Sequence, residues 1–414
     1  MSAPSASIRM RAVGRANGVA SMVGTKAGIT GLRLRATAAI GAVVLLAACS
    51  GRPEGVLGVT GPVPEGVKPV DMLVVTTRAP IDDPTRLFNG ERGDGMHQTE
   101  LKISIPPDPT RKVGDVEWPD TLPPDPKRSF AVVDRDDIPG PKEAAAWFHR
   151  VGNGRALIFV HGFNTRYDDA VFRFAQFVHD SKTDFTPVLF TWPSRGRLVD
   201  YAYDRESTNY SRDAFEALLR GAAANSDVKE ISILAHSMGT WLTMETLRQI
   251  AIKDGRLPAK IHDVILASPD IDADVFRRQI ARLGQPRPRL TLFVSRDDKA
   301  LDVSRLIAGD VERVGAIDPR AEPWKSTIAK ENVTVFDLTD VKTSDELAHG
   351  KYAASSDVVQ LIGSRLVAGQ PISDARTGGV GAQIGGVVSG TFGAVGGVAG
   401  SVVGAPFMVF GSGR

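Results

Sequence analysis

The sequence predicts an α/β domain built on a mostly parallel sheet with helices on both faces, and three observations carry that expectation. Short apolar runs recur at 156–160, 188–192, 231–234, 263–267, 290–294 and 333–337. Between them lie stretches with helical apolar spacing, such as 167–180, 213–224 and 238–252, and strands alternating with helices imply parallel pairing. Residues 228–240 read as strand, sharp turn and helix, with Ser237 at the apex. In parallel sheets the active site lies beyond the carboxyl ends of the strands, where each run meets a polar cluster.

Taken in order, the chain starts with a basic segment. Residues 1–35 carry Arg9, Arg11, Arg15, Lys26, Arg33 and Arg35 and no acid, and an apolar stretch, 38–48, ends in Leu46-Ala47-Ala48-Cys49. A basic region, a short apolar core and small residues before a cleavage point make a signal peptide over 1–48. Leu-Ala-Ala-Cys resembles the lipobox of bacterial lipoproteins, in which the cysteine becomes the lipidated first residue. Cys49 is the only cysteine of the chain. Ser50 follows it, and a residue other than aspartate there implies the outer membrane, facing the periplasm. Residues 49–70 are rich in glycine and proline and read as a flexible tether.

The segment 71–141 is expected to be an N-terminal extension that adds edge strands and covers one end of the sheet. Its strands are read at 71–75, 101–105 and 130–133, and residues 79–99 are polar and turn-rich. A short helix is expected over 144–149. The run at 156–160 has no polar alternation, as befits a strand buried on both faces, and ends in His161-Gly162-Phe163-Asn164. The run at 188–192 ends in Trp192-Pro193-Ser194-Arg195-Gly196, with Tyr201, Tyr203 and Asp204 soon after. This stretch reads either as a loop packed on the core or as an aromatic and basic pocket wall.

The turn at Ala235-His236-Ser237-Met238-Gly239 has the pattern of the nucleophile elbow of G-x-S-x-G enzymes, with alanine at the first small position. A serine hydroxyl is a weak nucleophile and needs a base, a carboxylate to orient that base, and donors for the developing oxyanion. In enzymes built on such an elbow the chain order is Ser, Asp or Glu, then His. The histidines after Ser237 are His262 and His349. His262 precedes a strand, so it sits at the wrong sheet edge. His349 follows the last strand and is the expected base. Asp298, clear of the end of the 290–294 strand, is the favoured acid. Asp270, one strand earlier, is the alternative, and Asp297 reads as a solvated neighbour or a loop-fixing acceptor. The oxyanion donors are expected to be the backbone N–H groups of Met238 and Phe163. His161 and His236 read as structural.

The motifs Thr76-Thr77-Arg78, His161-Gly162-Phe163-Asn164, Phe190-Thr191-Trp192-Pro193-Ser194, Leu234 to Gly239, Ser268-Pro269-Asp270-Ile271-Asp272, the 295–301 segment and His349 with Tyr352 resemble a largely uncharacterised family of bacterial α/β-hydrolases over roughly residues 70–365. The resemblance implies the α/β-hydrolase fold over 71–365 and a serine hydrolase site, and it supports Asp298 as the acid. It implies no particular substrate.

From 377 to 413 there is no charged residue, and glycines recur at spacings of four, as at Gly381 and Gly385 or Gly393 and Gly397. Small residues so spaced let helices approach closely in a membrane, whereas glycine-rich sequence in water is a poor helix former. The 366–414 tail is therefore expected to be either membrane-associated or low-complexity. A net charge of +2 excludes a nucleic-acid partner of the usual basic kind, and no Cys/His spacing calls for a metal or cofactor. The leading expectation is an envelope serine hydrolase acting on a small-molecule or lipid-like ester or thioester, carboxylesterase- or lipase-like, attached through lipidated Cys49. The other is a non-catalytic envelope lipoprotein that uses the same fold for binding or scaffolding.

Overall fold

The computed structural model describes residues 53–107, 111–367 and 387–389. Ten strands form one sheet: β1 Val70–Pro80, β2 Phe88–Ser104, β3 Ala131–Asp137, β4 Arg155–Val160, β5 Thr186–Thr191, β6 Glu230–His236, β7 Ile261–Ala267, β8 Arg289–Val294, β9 Val333–Asp337 and β10 Val387–Ser389. Their spatial order is β10-β9-β8-β7-β6-β4-β5-β1-β2-β3. The seven strands from β9 to β1 pair in parallel. Antiparallel β2 and β3 extend one edge and β10 the other.

The helices are α1 Pro141–Val151, α2 Tyr167–Ser181, α3 Tyr201–Ala224, α4 Met238–Asp254, α5 Ala273–Arg282, α6 Lys299–Ile307, α7 Trp324–Lys330, α8 Lys351–Ala354 and α9 Ser356–Val367. Strand side chains alternate between the two sheet faces, which accounts for two separate cores. Ile158, Ile233, Val264 and Leu292 meet Trp147 of α1, Phe215 of α3, Leu247 of α4 and Ile280 of α5. Leu157, Phe159, Leu234 and Ile265 meet Phe174 of α2 and Ile362 of α9. Both faces of the central strands are apolar because both are covered.

Four expectations are corrected. The 49–70 segment is not a free tether from residue 53 onward. Val56 and Leu57 are fully buried, and the Leu57 and Thr60 N–H groups donate to Thr85 O and Val132 O, both at 2.9 Å. The polar region before residue 101 is strand from Phe88 onward, since β2 runs for 17 residues. It is held by backbone pairing to β1 and β3 while much of its outer half faces solvent, so its side chains carry no apolar signal. Likewise β1 lies inside the sheet, between β5 and β2. Helix α3 begins at Tyr201 rather than near 213, because its first half buries polar Asp204, Ser207, Thr208 and Ser211 instead of an apolar stripe.

The signal segment 1–48, Cys49 and the tail beyond Val367, apart from β10, lie outside the described residues. Among the described residues no helix is long and apolar enough to cross a membrane.

Candidate active site

Strand β6 hands over to α4 at Ser237, whose backbone sits at φ 52° and ψ −124°. A side chain rarely tolerates that region. The turn is pinned on several sides. Ser237 N donates to Ala267 O at 2.9 Å, and Ser237 O accepts from Asp270 N at 3.3 Å and Thr240 Oγ1 at 2.6 Å. The small residues are needed for close approach. A Cβ on Gly239 would stand 2.3 Å from His161 O, and one on Gly162 2.8 Å from Ser237 Cβ. Ala235, at the first small position, is fully buried between β4 and β7, where its single methyl group fits.

The segment after β9 brings His349 to this turn. Its Nδ1 lies 2.7 Å from Asp298 Oδ2. Its carbonyl accepts from Ser268 Oγ at 3.0 Å and from His236 Nε2 at 3.2 Å, and its ring centroid is 4.7 Å from that of His236. His349 is therefore gripped at both ring and backbone, next to the residue that precedes Ser237. Burial works to lower the His349 pKa, but the charge and hydrogen bond of Asp298 outweigh it, leaving the group above its ordinary value. Burial first, and then proximity to His349, hold His236 well below its ordinary value. His236 thus stays neutral and donates to the His349 carbonyl.

Of the three candidate carboxylates, only Asp298 bonds to His349. It is fully buried, caps α6, and accepts from Leu301 N at 3.0 Å through its other oxygen. Asp297 instead binds Lys351 Nζ at 2.9 and 3.0 Å and Ser295 Oγ at 2.6 Å. Asp270 accepts from Tyr201 Oη at 2.9 Å and Ser304 Oγ and lies 3.4 Å from Arg313 Nε. The sequence pattern marks neither Ser304 nor Arg313, since their contact with Asp270 is made by later, separate segments of the chain.

The Met238 N–H opens α4, where no intrahelical acceptor exists. Among the described residues neither it nor the Phe163 N–H donates to a protein acceptor. The loop carrying Phe163 is backed by His161, which is buried, stacks on Trp192 at 4.8 Å and receives the Trp192 N–H at 3.1 Å. Burial and then the adjacent Arg78 keep His161 well below its ordinary pKa.

The stretch from Trp192 to Asp204 is largely a brace rather than a pocket wall. Trp192 and Ser194 are fully buried, Asp204 binds Ser194 Oγ at 2.5 Å, and Arg195 stacks on Tyr203 at 3.6 Å. Tyr201 is the exception; it is partly buried, with its ring edge-on to Phe163 at 5.2 Å. Two cavities of 760 and 880 Å³ open near the amino ends of strands, among residues such as Thr183 and His262. Neither includes Ser237, so the chemistry of the side chains, not cavity size, locates the site.

The model of a family described as alpha/beta hydrolase of unknown function (DUF900) matches residues 142–365, more than half of the chain. The chain belongs to this family. Its fold is therefore that of an α/β hydrolase. No curated protein matches. Among solved structures, an esterase from Pyrobaculum calidifontis is similar at 11% identity over 81% of this chain and 93% of its own, with a TM-score of 0.32. Fungal esterases from Rhizomucor miehei match at 13% over 74% and 84%, TM-score 0.34. A predicted CIB-like hydrolase from Thermoplasma acidophilum matches at 12% over 52% and 87%, TM-score 0.30. Such distant likeness has no bearing on substrate.

Proposed function

We propose that this family member is a serine hydrolase acting on an ester or thioester through an acyl-enzyme on Ser237. The observation that carries the reading is the strained serine at a strand-to-helix turn, next to His236, on whose ring packs a histidine with its Nδ1 held by a buried carboxylate. Asp298 can only accept at Nδ1, so the neutral His349 ring keeps its proton there and leaves Nε2 as the base. Ser237 Oγ attacks the substrate carbonyl while His349 takes its proton. Charge develops on the carbonyl oxygen, which the Met238 and Phe163 N–H groups receive. His349 then returns the proton to the leaving alcohol or thiol, and water, activated by the same base, releases the acid. Asp298 orients the ring and stabilises the imidazolium.

A fluorophosphonate probe tests this directly. Wild-type protein should be labelled and Ser237→Ala should not; equal labelling of both, or none of either, overturns the proposal. A series of p-nitrophenyl esters of graded chain length would then define the acyl group accepted.

We also propose that Cys49 is lipidated and holds the enzyme on the cell envelope, at the outer membrane facing the periplasm. The basic and apolar leader ending in Leu46-Ala47-Ala48-Cys49 supports this. Metabolic labelling with a palmitate analogue should mark the wild type and not Cys49→Ala; labelling of both would sink it.

A further inference from the structure

We propose that Arg78 is a positioning residue for the oxyanion hole: its buried guanidinium ties the 161–165 loop to the 192–195 loop and so sets the direction of the Phe163 N–H. This rests on the acyl-transfer reading of Ser237.

Arg78 lies near the end of β1 and is fully buried. Among the described residues no carboxylate is within hydrogen-bond distance of it. Its fork is used on neutral oxygens from separate segments. Nη2 donates to Thr165 O at 2.8 Å, Nη1 to Ser194 O at 2.8 Å and Asn89 O at 3.3 Å, and Nε to Thr191 Oγ1 at 2.9 Å. Nη2 also lies 3.4 Å from His161 Nε2. Asp204 completes the frame from the other side. Its Oδ2 accepts from Ser194 Oγ at 2.5 Å and from Asn164 N at 3.3 Å, and Ser194 Oγ in turn accepts from Thr165 N at 3.0 Å.

The consequence falls on Phe163. The residues on either side of it are anchored, His161 by Trp192 and Thr191 and Asn164 and Thr165 by Asp204, Ser194 and Arg78. Asn164 itself holds a positive φ of 56°, a conformation that needs such support. A buried cation without an ion-pair partner is a poor choice for stability alone, because an apolar residue would fill the space without desolvating a charge. What a guanidinium supplies is a rigid planar fork of donors that holds several carbonyls in a fixed relative geometry, whereas a lysine ammonium is a single point charge on a flexible stem. Burial pushes the Arg78 pKa down to about 10, so it remains charged at neutral pH.

An anion site on the far side of Arg78 is the competing explanation. A 150 Å³ cavity there is lined by Arg78, Arg86, Arg166 and Arg195. Arg86 and Arg166, however, face Glu54 and Asp168, and Arg195 faces Glu91, so the charges of these three are already compensated and only Arg78 remains. The cavity matters in another way: it gives a small guanidinium ion a route to the space that removal of the Arg78 side chain would leave.

The test uses the full chain and p-nitrophenyl butyrate, with wild type, Arg78→Lys, Arg78→Ala and Ser194→Ala measured side by side. Loss of one oxyanion donor typically costs about 100-fold or more in kcat. Folded Arg78→Lys should therefore lose on the order of 100-fold in kcat with KM changed by no more than about twofold. Methylguanidinium should restore part of the kcat of Arg78→Ala and leave wild type unchanged. If Arg78→Ala does not fold, Ser194→Ala, which loosens the same loop from the opposite side, should show the same split between kcat and KM. Wild-type kcat in folded Arg78→Lys or in Ser194→Ala overturns the inference, as does a folded Arg78→Ala that methylguanidinium fails to rescue. A wild-type protein that neither hydrolyses ester nor takes the fluorophosphonate overturns the acyl-transfer reading itself, so the two failures are told apart.

Discussion

Nδ1 of His349 and Oδ2 of Asp298 lie 2.7 Å apart, across 51 residues of chain. The carboxylate is wholly buried and its second oxygen is committed to the Leu301 N–H, so it cannot turn away. A fixed acceptor at Nδ1 dictates the histidine tautomer. It also makes the pair the point at which pH should be felt.

Asp298→Asn should lower kcat by about 10⁴, because the amide can donate to Nδ1 and put the ring proton on the wrong nitrogen. In the wild type, kcat/KM should rise with pH through a midpoint above the ordinary histidine value of 6.5, since Asp298 raises His349 against the effect of burial. In the variant that acid limb should move to lower pH. Because the folded-state pKa is the higher one, protonation of His349 adds stability that is fully present below 6.5 and lost as pH rises through the folded value. A pH–rate profile with the same midpoint in both proteins would count against the pairing.

The strain at Ser237 can be read as stability. A non-glycine residue in this region costs about 1–3 kcal/mol, whereas glycine adopts it freely at an entropic cost of about 0.5–1 kcal/mol. Ser237→Gly should therefore be more stable than Ser237→Ala by roughly 1 kcal/mol, seen as a higher melting temperature. Both variants should be inactive. Equal melting temperatures would mean that the turn is not strained.

Gly162→Ala introduces a Cβ 2.8 Å from Ser237 Cβ and 3.0 Å from His236 Nδ1. Relief requires the oxyanion loop to shift. We expect a loss of about 100-fold in kcat with a stability cost of about 1–3 kcal/mol. Gly221→Ala in α3 meets nothing within 4 Å and should leave activity intact while stabilising the helix by about 0.5–1 kcal/mol. Parallel kinetics and urea titrations distinguish the two.

Asp180 tests the core away from the chemistry. It accepts from Arg111 Nη2 at 3.0 Å, from Arg111 Nη1, from Gly114 N at 2.8 Å and from Gln176 Nε2 at 2.8 Å. Burial pushes the carboxyl up, but hydrogen bonds from His179, Arg111, Gly114 and Gln176 prevail and hold it well below the usual range. Asp180→Ala would remove one of the two carboxylates that hold the buried Arg111 cation, leaving Glu117 Oε2 at 3.0 Å from its Nε, at a cost of about 1–3 kcal/mol near neutral pH. A depressed carboxylate contributes its full stability above its unfolded pKa, about 4, and loses it as pH falls toward the folded value. The gap between wild type and variant in urea titrations should thus be smaller at pH 3 than at pH 7. A gap independent of pH would contradict the ion pair.

Local patterns are legible in the amino-acid order itself. The continuous apolar run at 156–160 announces a strand buried on both faces, because such a strand needs no polar side. The elbow is legible too, because Ala235, Ser237 and Gly239 are neighbours in sequence and the steric demand that selects them is local. By contrast, β2 and the first half of α3 carry no such signal. In both, backbone pairing or buried polar contacts replace the apolar periodicity by which elements are recognised.

By itself, then, the sequence determined the parallel α/β architecture, the sharp turn at Ser237 and a short set of candidate partners, all from spacing within a few residues. Only the tertiary structure decided which of Asp270, Asp297 and Asp298 meets His349, for the three carboxylates lie at similar strand ends and differ in partners contributed by distant segments. It alone also gave Arg78 its partners, 11 to 116 residues away. A buried polar group is defined by the acceptors that fold around it, and nothing in its own stretch of chain records where those acceptors will be.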